Sequence, residues 1–181
     1  PIASFLKGIT VQYTIIYIAV LVAANMAVVW LGPSAMPVIA FFLIGLDLTL
    51  RDRLHDRWHG RHLWPRMVAL ILTAGAVSYW LNPASGLIAV ASVVAFGLAS
   101  LVDAGVYHLL QKRSWQVRAN GSNLVGAAVD SLVFPVMAFG AVLPSIVLAQ
   151  LLAKVAGGMI WAISIAWLSR MANRKSRQPV T

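Results

Sequence analysis

The sequence predicts an all-α integral membrane protein, a single domain over residues 1–181 that forms a bundle of six transmembrane helices. Two observations predict this class. First, 60% of the 181 residues are apolar and the mean hydropathy is +0.83, whereas a soluble domain has ~45–50% apolar residues. Second, the apolar residues fall into six stretches, and about 20 apolar residues suffice for a helix to cross a bilayer.

Turns and charged segments separate the six stretches. Compact turns with Gly or Pro occur at 32–33, 82–83 and 140–144, and charged loops are predicted at 51–66 and 111–119. The second and third stretches are shorter than a bilayer requires, so they need flanking residues or a thinner membrane. The predicted spans are 11–31, 36–50, 67–80, 85–110, 120–139 and 144–169.

The basic residues predict how the spans are oriented. With six spans and both termini in the cytoplasm, thirteen of the fourteen Lys and Arg lie on the cytoplasmic side. Cytoplasmic loops of membrane proteins carry such an excess, so we expect a multi-pass protein of the bacterial inner membrane. Five tryptophans near predicted span ends are typical of anchors at the headgroup level: Trp30, Trp64, Trp80, Trp115 and Trp167.

The composition also excludes several classes of function. The formal charge is +9, but so apolar a chain lacks the polar surfaces of a nucleic-acid-binding domain. The absence of Cys excludes disulfides, thiolate metal sites and Cys nucleophiles. No Gly-x-x-x-x-Gly-Lys motif occurs, so ATP can act only through another chain. We expect no enzyme activity, cofactor or metal.

Four charged residues lie within the predicted spans, namely Asp47, Asp103, Asp130 and Lys154. An ionised side chain at the bilayer centre costs a few kcal/mol, so such residues face the bundle interior, a water-filled cavity or each other. Asp130 and Lys154 are near the middle of the fifth and sixth spans, at depths where they can form an ion pair. The ion pair can have a purely structural role, in which it joins the two helices, or it can form part of a binding site.

Helical spacing favours the binding site. Residues at i, i+3, i+4 and i+7 share one helix face, and each charge then shares its face with an amide, small residues and an aromatic ring. The start of the fifth span, 115–123, adds a group of hydrogen-bonding residues in which Asn120 or Ser122 is a candidate N-cap. The two faces contain Asn123, Gly126, Ala127, Asp130, Phe134 and Met137, and Gln150, Lys154, Gly157, Gly158 and Trp161.

These residues resemble a known family. They are similar to the vitamin uptake transporter family, which contains queuosine precursor transporters. The similar residues are the run from Ser100 to His108 with Asp103 and Tyr107, then Trp115, Arg118-Ala-Asn120-Gly-Ser122 and Asp130-Ser-Leu-Val-Phe134. The resemblance covers about residues 95–165. It implies a six-helix importer of 7-deazaguanine bases, with a fold similar to the substrate-binding subunits of energy-coupling-factor transporters.

The residue chemistry suits such a base. A guanine-like ring presents N1–H and a 2-amino group side by side, and one carboxylate, Asp130 or Asp103, can accept both. An aromatic ring can stack on the base, which is worth roughly 1–3 kcal/mol in base-binding proteins. The candidates for the 6-oxo group are Asn120, Asn123 and Gln150, those for stacking are Phe134, Trp115 and Trp161, and Ser122, Arg118 and Lys154 complete the predicted pocket.

The sequence is also compatible with other functions. An aspartyl pair or a Ser122–His108 pair would suit an intramembrane protease, but neither has the Gly-rich sequence context of such enzymes. The stripe of Ala19, Ala23 and Ala27 suits docking onto a partner of an ATP-driven energy-coupling-factor complex, or plain helix packing. If the chain works alone or as a homo-oligomer, transport can be facilitated or proton-coupled. Asp103 and His108 are the candidates for binding and releasing the proton.

The loop at 51–66 contains histidines with a spacing that can bind a metal. His55 and His59 are one helical turn apart, with Asp52 and His62 nearby. The interleaved arginines oppose a dication, so we interpret the loop as an amphipathic cytoplasmic segment lying on anionic lipid.

Overall fold

The computed structural model of the protein describes residues 2–58, 63–142 and 144–175, and these residues form six long helical segments. The predicted all-α bundle is confirmed. The second segment is composite, because a π-helical turn, Ala40–Ile44, joins two α-helices. The α-helices are α1 (Ile2–Leu31), α2 (Met36–Ile39), α3 (Gly45–Arg57), α4 (Leu63–Leu81), α5 (Gly86–Leu109), α6 (Trp115–Phe139) and α7 (Pro144–Lys175).

Five of the segments are long and apolar enough to cross a membrane: Val11–Leu31, Pro33–Arg51, Pro83–Leu109, Asn120–Phe139 and Pro144–Leu168. The sixth segment, α4, holds the predicted third span. Its 19 residues extend for about 28 Å, close to the ~30 Å thickness of the hydrocarbon core, but Arg66 in its first turn lowers its hydropathy. The predicted count of six spans therefore depends on α4, the helix with the weakest apolar signal.

The three predicted turns are present, and each has a local cause. Gly32 ends α1 with φ of 71° and Gly140 ends α6 with φ of 69°, values that glycine adopts without steric cost. Between α4 and α5, the Asn82 side chain accepts a hydrogen bond from the Ala84 amide at 3.0 Å, as in an Asx turn. These short turns keep consecutive helices adjacent.

The segments pack as a closed ring around a central space. In ring order, α1 contacts α4, α4 contacts α5, α5 contacts α6, α6 contacts α7, and α7 contacts α2, the π-helical turn and α3, which return to α1. Two apolar clusters hold the helices together, one containing Tyr17, Leu50 and Met67 and the other containing Val28 of α1 and Ile88 of α5. Because the ring is closed, residues on the inner face of every segment can line one cavity.

Two predictions about helix ends are wrong. First, the apolar span Asn120–Phe139 is as predicted, but α6 begins earlier, at Trp115 after Ser114, so Asn120 and Ser122 lie inside the helix and neither is its N-cap. Second, the predicted loop at 51–66 is partly helical, because α3 continues to Arg57.

This end of α3 packs into the bundle through one face. Leu54 is fully buried and Trp58 packs against the same apolar cluster. The Arg57 guanidinium lies 5.0 Å from the centre of the Tyr13 ring on α1, within the range of a cation–π contact. The candidate metal ligands Asp52, His55, His59 and His62 lie outside the described side chains.

Backbone contact between α7 and the composite second segment is unusually close. A Cβ atom built on Gly45 would lie 2.6 Å from the Gly157 carbonyl carbon, and one on Gly157 would overlap the Phe41 carbonyl oxygen. Thr49 Oγ1 bridges the helices, because its single proton is shared between Gly45 O at 3.1 Å and Gly158 O at 3.3 Å. Small residues permit such approaches between membrane helices.

Replacing Gly157 by Ala is therefore expected to destabilise the protein, by about 1–3 kcal/mol, since overpacking forces the backbones apart. The measurement is the thermal unfolding of the detergent-purified protein. The matched control is Gly97→Ala on α5, because nothing lies within 4 Å of a Cβ built there. Equal unfolding temperatures for the two variants would contradict the close contact.

Candidate substrate-binding site

All six segments line a central cavity of about 730 Å³. Ligand pockets in proteins measure ≈ 300–1,000 Å³ and combine apolar walls with a few polar groups. Here the walls are mainly apolar, and the polar groups converge from different helices. The polar lining comprises Tyr17, Asn25, Asp47, Thr49, Arg51, Ser92, Ser100, Asp103, Asn120, Asn123, Asp130, Gln150 and Lys154.

An ion pair between α6 and α7 forms part of this wall. Lys154 Nζ lies 2.5 Å from Asp130 Oδ2 and 3.0 Å from Ser131 Oγ. The ammonium is buried, with 3% of Lys154 exposed, whereas 29% of the Asp130 side chain remains accessible. Lys154 thus holds the Asp130 carboxylate in place at the cavity wall, and the carboxylate, which has further lone pairs, remains accessible to a ligand.

The predicted face of α6 lines the cavity for most of its length. Asn123, Gly126, Ala127, Asp130 and Phe134 all contribute, and Asn120 extends the face by one turn. Met137, the last residue of the predicted face, is not among the lining residues. Phe134 packs edge-on against Phe139, with ring centres 6.5 Å apart, which fixes an aromatic ring one helical turn from Asp130.

The predicted face of α7 has two functions. Gln150 and Lys154 line the cavity, and buried Gln150 places its amide nitrogen 3.7 Å from Met36 Sδ on α2. Further along, Gly157 packs against the π-helical turn, and Trp161 Nε1 donates to Phe42 O at 2.9 Å. Trp161 is not among the lining residues, so its indole serves helix packing and is not placed to stack on a ligand.

Other predicted residues are not brought to the cavity wall. Ser122 is buried and His108 is exposed, and neither is among the lining residues. The side chains of Trp115 and Arg118 lie outside the described part of the structure. Within the described residues, no group of three or more potential metal ligands occurs.

Asp103 lines the cavity from α5, as predicted. A Cβ on Gly126 of α6 would lie 3.2 Å from Asp103 Cβ, so the missing side chain at Gly126 allows the two helices to approach at this point. Asp103 Oδ1 is buried and has no hydrogen-bond partner among the described residues.

In the first half of the chain, sequence reasoning missed the polar residue Asn25 and noted Asp47 only as a charge within a span, without a place in the predicted pocket. Asn25 on α1 joins three helices, because its amide donates to Ser78 Oγ on α4 and accepts from Ser92 Oγ on α5, both at 3.1 Å. Asp47 on α3 lines the cavity and is hydrogen-bonded to Tyr17 on α1. An amide in the middle of an apolar span was the available signal for Asn25.

A bundle that surrounds a polar cavity within apolar helices is typical of membrane proteins that bind a small polar molecule inside the bilayer. A family model described as "Putative vitamin uptake transporter" matches residues 6–168. The chain belongs to this family, which makes it a multi-pass membrane protein of vitamin-uptake type. Neither the curated proteins nor the solved structures contain a match.

Proposed function

We propose that this protein imports a queuosine precursor, 7-cyano- or 7-aminomethyl-7-deazaguanine, across the bacterial inner membrane into the cytoplasm. The observation that carries the proposal is the Asp130 carboxylate, which is held on the cavity wall by buried Lys154 and remains accessible from the cavity. Family membership supports uptake of a small molecule. The choice of a deazaguanine rests on the resemblance of the segment at 95–165 and on the chemistry of the lining.

Recognition of the base would start at Asp130. Its carboxylate can accept from N1–H and the 2-amino group, and charge-assisted bonds of this kind are roughly twice as strong as neutral ones. Asn120, Asn123 and Gln150 supply amides for the 6-oxo group, and Phe134 supplies a ring for stacking. A ligand without the donor pair would desolvate the side of the carboxylate that faces the cavity and leave its acceptor sites there without hydrogen bonds, so it would be rejected.

A second candidate, the substrate-binding subunit of an ATP-driven complex, is favoured by one observation. Ala19 and Ala23 lie on an exposed face of α1, where a partner helix could approach closely. The two candidates share the same cavity and differ in the need for a partner. Accumulation of substrate by proteoliposomes that contain this chain alone would favour the independent importer.

The first experiment is a thermal-shift titration of the detergent-purified protein with guanine, 7-deazaguanine and its 7-cyano and 7-aminomethyl derivatives. A ligand that binds only the native state stabilises it by about 2.7 kcal/mol at one hundred times its Kd. We expect concentration-dependent stabilisation by the 7-substituted bases. The absence of a shift with all four compounds would contradict the proposed substrate class and leave the membrane fold unaffected.

A further inference from the structure

A second carboxylate in the cavity, that of Asp47 on α3, has surroundings unlike those of Asp130. Only 7% of Asp47 is exposed, and the residue lies in a helix that packs against α1 and α7. The Tyr17 side chain from α1 is hydrogen-bonded to the carboxylate. Leu50, one turn further along α3, is buried in the same apolar cluster as Tyr17.

One oxygen of this carboxylate is unsatisfied. Asp47 Oδ1 is buried and has no hydrogen-bond partner among the described residues, while the residue contributes to the cavity wall. A buried ionised oxygen without a partner is costly. This cost would be removed by a proton bound to the oxygen or by a hydrogen-bond donor of a ligand in the cavity.

The charged groups around Asp47 come from every side of the cavity. Arg51 on the same helix and Lys154 on α7 attract its carboxylate, Asp130 on α6 repels it, and Tyr17 on α1 is its hydrogen-bond partner. Among the described residues, Asp103 is the one further ionisable residue that lines the cavity. Three carboxylates therefore face two cations, and the lining carries one formal negative charge until one proton binds.

We propose that Asp47 is a proton-binding site that couples substrate import to the proton gradient. One proton from external water adds to the Asp47 carboxylate to give the neutral acid, which makes the lining formally neutral. Burying a neutral lining costs less than burying a charged one when the cavity closes. Loss of the proton to cytoplasmic water regenerates the carboxylate, so one proton crosses with each substrate.

The surroundings of Asp47 differ from those of the other two carboxylates in the cavity. Asp130 is bonded to Lys154, and Asp103 is more exposed than Asp47. Asp47 combines nearly complete burial with an unsatisfied oxygen. The assignment rests on the proposed import function, since the proton is coupled to the substrate that Asp130 recognises.

The test compares wild-type protein, Asp47→Asn and Asp47→Glu in proteoliposomes loaded at alkaline pH and supplied with labelled 7-cyano-7-deazaguanine outside. One coupled proton converts a gradient of one pH unit into up to about tenfold accumulation. We expect this accumulation for the wild type and a reduced but present response for Asp47→Glu. Asp47→Asn should keep binding and counterflow exchange, which need no net proton movement, and should lose the response to the pH gradient.

An infrared titration without substrate tests proton binding by Asp47 independently of the proposed import function. The wild type should show a carboxylic-acid C=O band that titrates with pH, is absent in Asp47→Asn and shifts in frequency in Asp47→Glu. The shift also assigns the band if the Asn variant does not fold. A wild type that binds no deazaguanine but shows this band would overturn only the proposed substrate. Three results would overturn the proton site: pH-driven uptake by Asp47→Asn that equals that of the wild type, uptake driven by Na⁺ and not by protons, or an infrared band that is the same in the Asp47 variants as in the wild type.

Discussion

Replacing Asp130 by Asn is expected to abolish binding of 7-substituted deazaguanines while the protein remains folded. The Asn side chain keeps one acceptor oxygen near Lys154, which also donates to Ser131 at 3.0 Å, so the ammonium retains partners. The amide cannot accept two donors side by side as a carboxylate does. Loss of two hydrogen bonds to a charged group, roughly 1.5–3 kcal/mol each, corresponds to a loss of affinity of at least about 100-fold. Isothermal titration with the detergent-purified variant measures this loss directly.

A ligand-side control shows whether the lost contact is the one proposed. The 7-cyano-7-deazahypoxanthine analogue lacks the 2-amino group, so the wild type should bind it far more weakly than the parent base. In Asp130→Asn, the difference between the two ligands should almost disappear, because the acceptor that distinguishes them has gone. An Asp130→Asn variant that still prefers the 2-amino ligand as strongly as the wild type does would show that another residue, such as Asp103, recognises the donor pair.

The sequence was sufficient to predict the fold class, because hydrophobic stretches and turn residues are local signals. It also predicted the approach of Asp130 and Lys154, since a charge in an apolar span needs a partner, and the pair is present at 2.5 Å. The face of α6 followed from helical spacing alone. These successes share one cause, which is that the information lies within one span or in two neighbouring spans.

The remaining features depend on contacts between distant parts of the chain. Trp161 has the spacing of a cavity residue, but the π-helical turn at Ala40–Ile44 brings the Phe42 carbonyl to its indole nitrogen. Asn25 bonds to residues 53 and 67 positions away, a pairing that only the closure of the ring determines. The N-cap of α6 was misplaced because polar residues in 115–123 are typical of a helix end, whereas here Asn120 and Asn123 line the cavity.

Removing either partner of the Asp130–Lys154 pair is expected to destabilise the protein, and to unequal extents. Asp130→Ala leaves a buried ammonium with only Ser131 as its partner among the described residues, and an uncompensated buried charge costs about 3–5 kcal/mol. Lys154→Met leaves a carboxylate that is 29% accessible and can be hydrated from the cavity, so its cost should be smaller. Thermal and denaturant unfolding in detergent, at one pH and salt concentration, provides the comparison.

The double variant Asp130→Ala/Lys154→Met completes a thermodynamic cycle for this pair. Because no charge then remains buried at this position, the double variant should be more stable than Asp130→Ala, and the two single losses should not add. Thr73→Val on α4 is a suitable control, because among the described residues its exposed hydroxyl bonds only to Ala69 O of its own helix and the change should matter little. Strictly additive losses in the cycle would mean that the two charges do not interact in the detergent-solubilised protein. Strong coupling together with loss of ligand binding in both single variants would show that the pair both joins α6 to α7 and holds the Asp130 carboxylate towards the cavity.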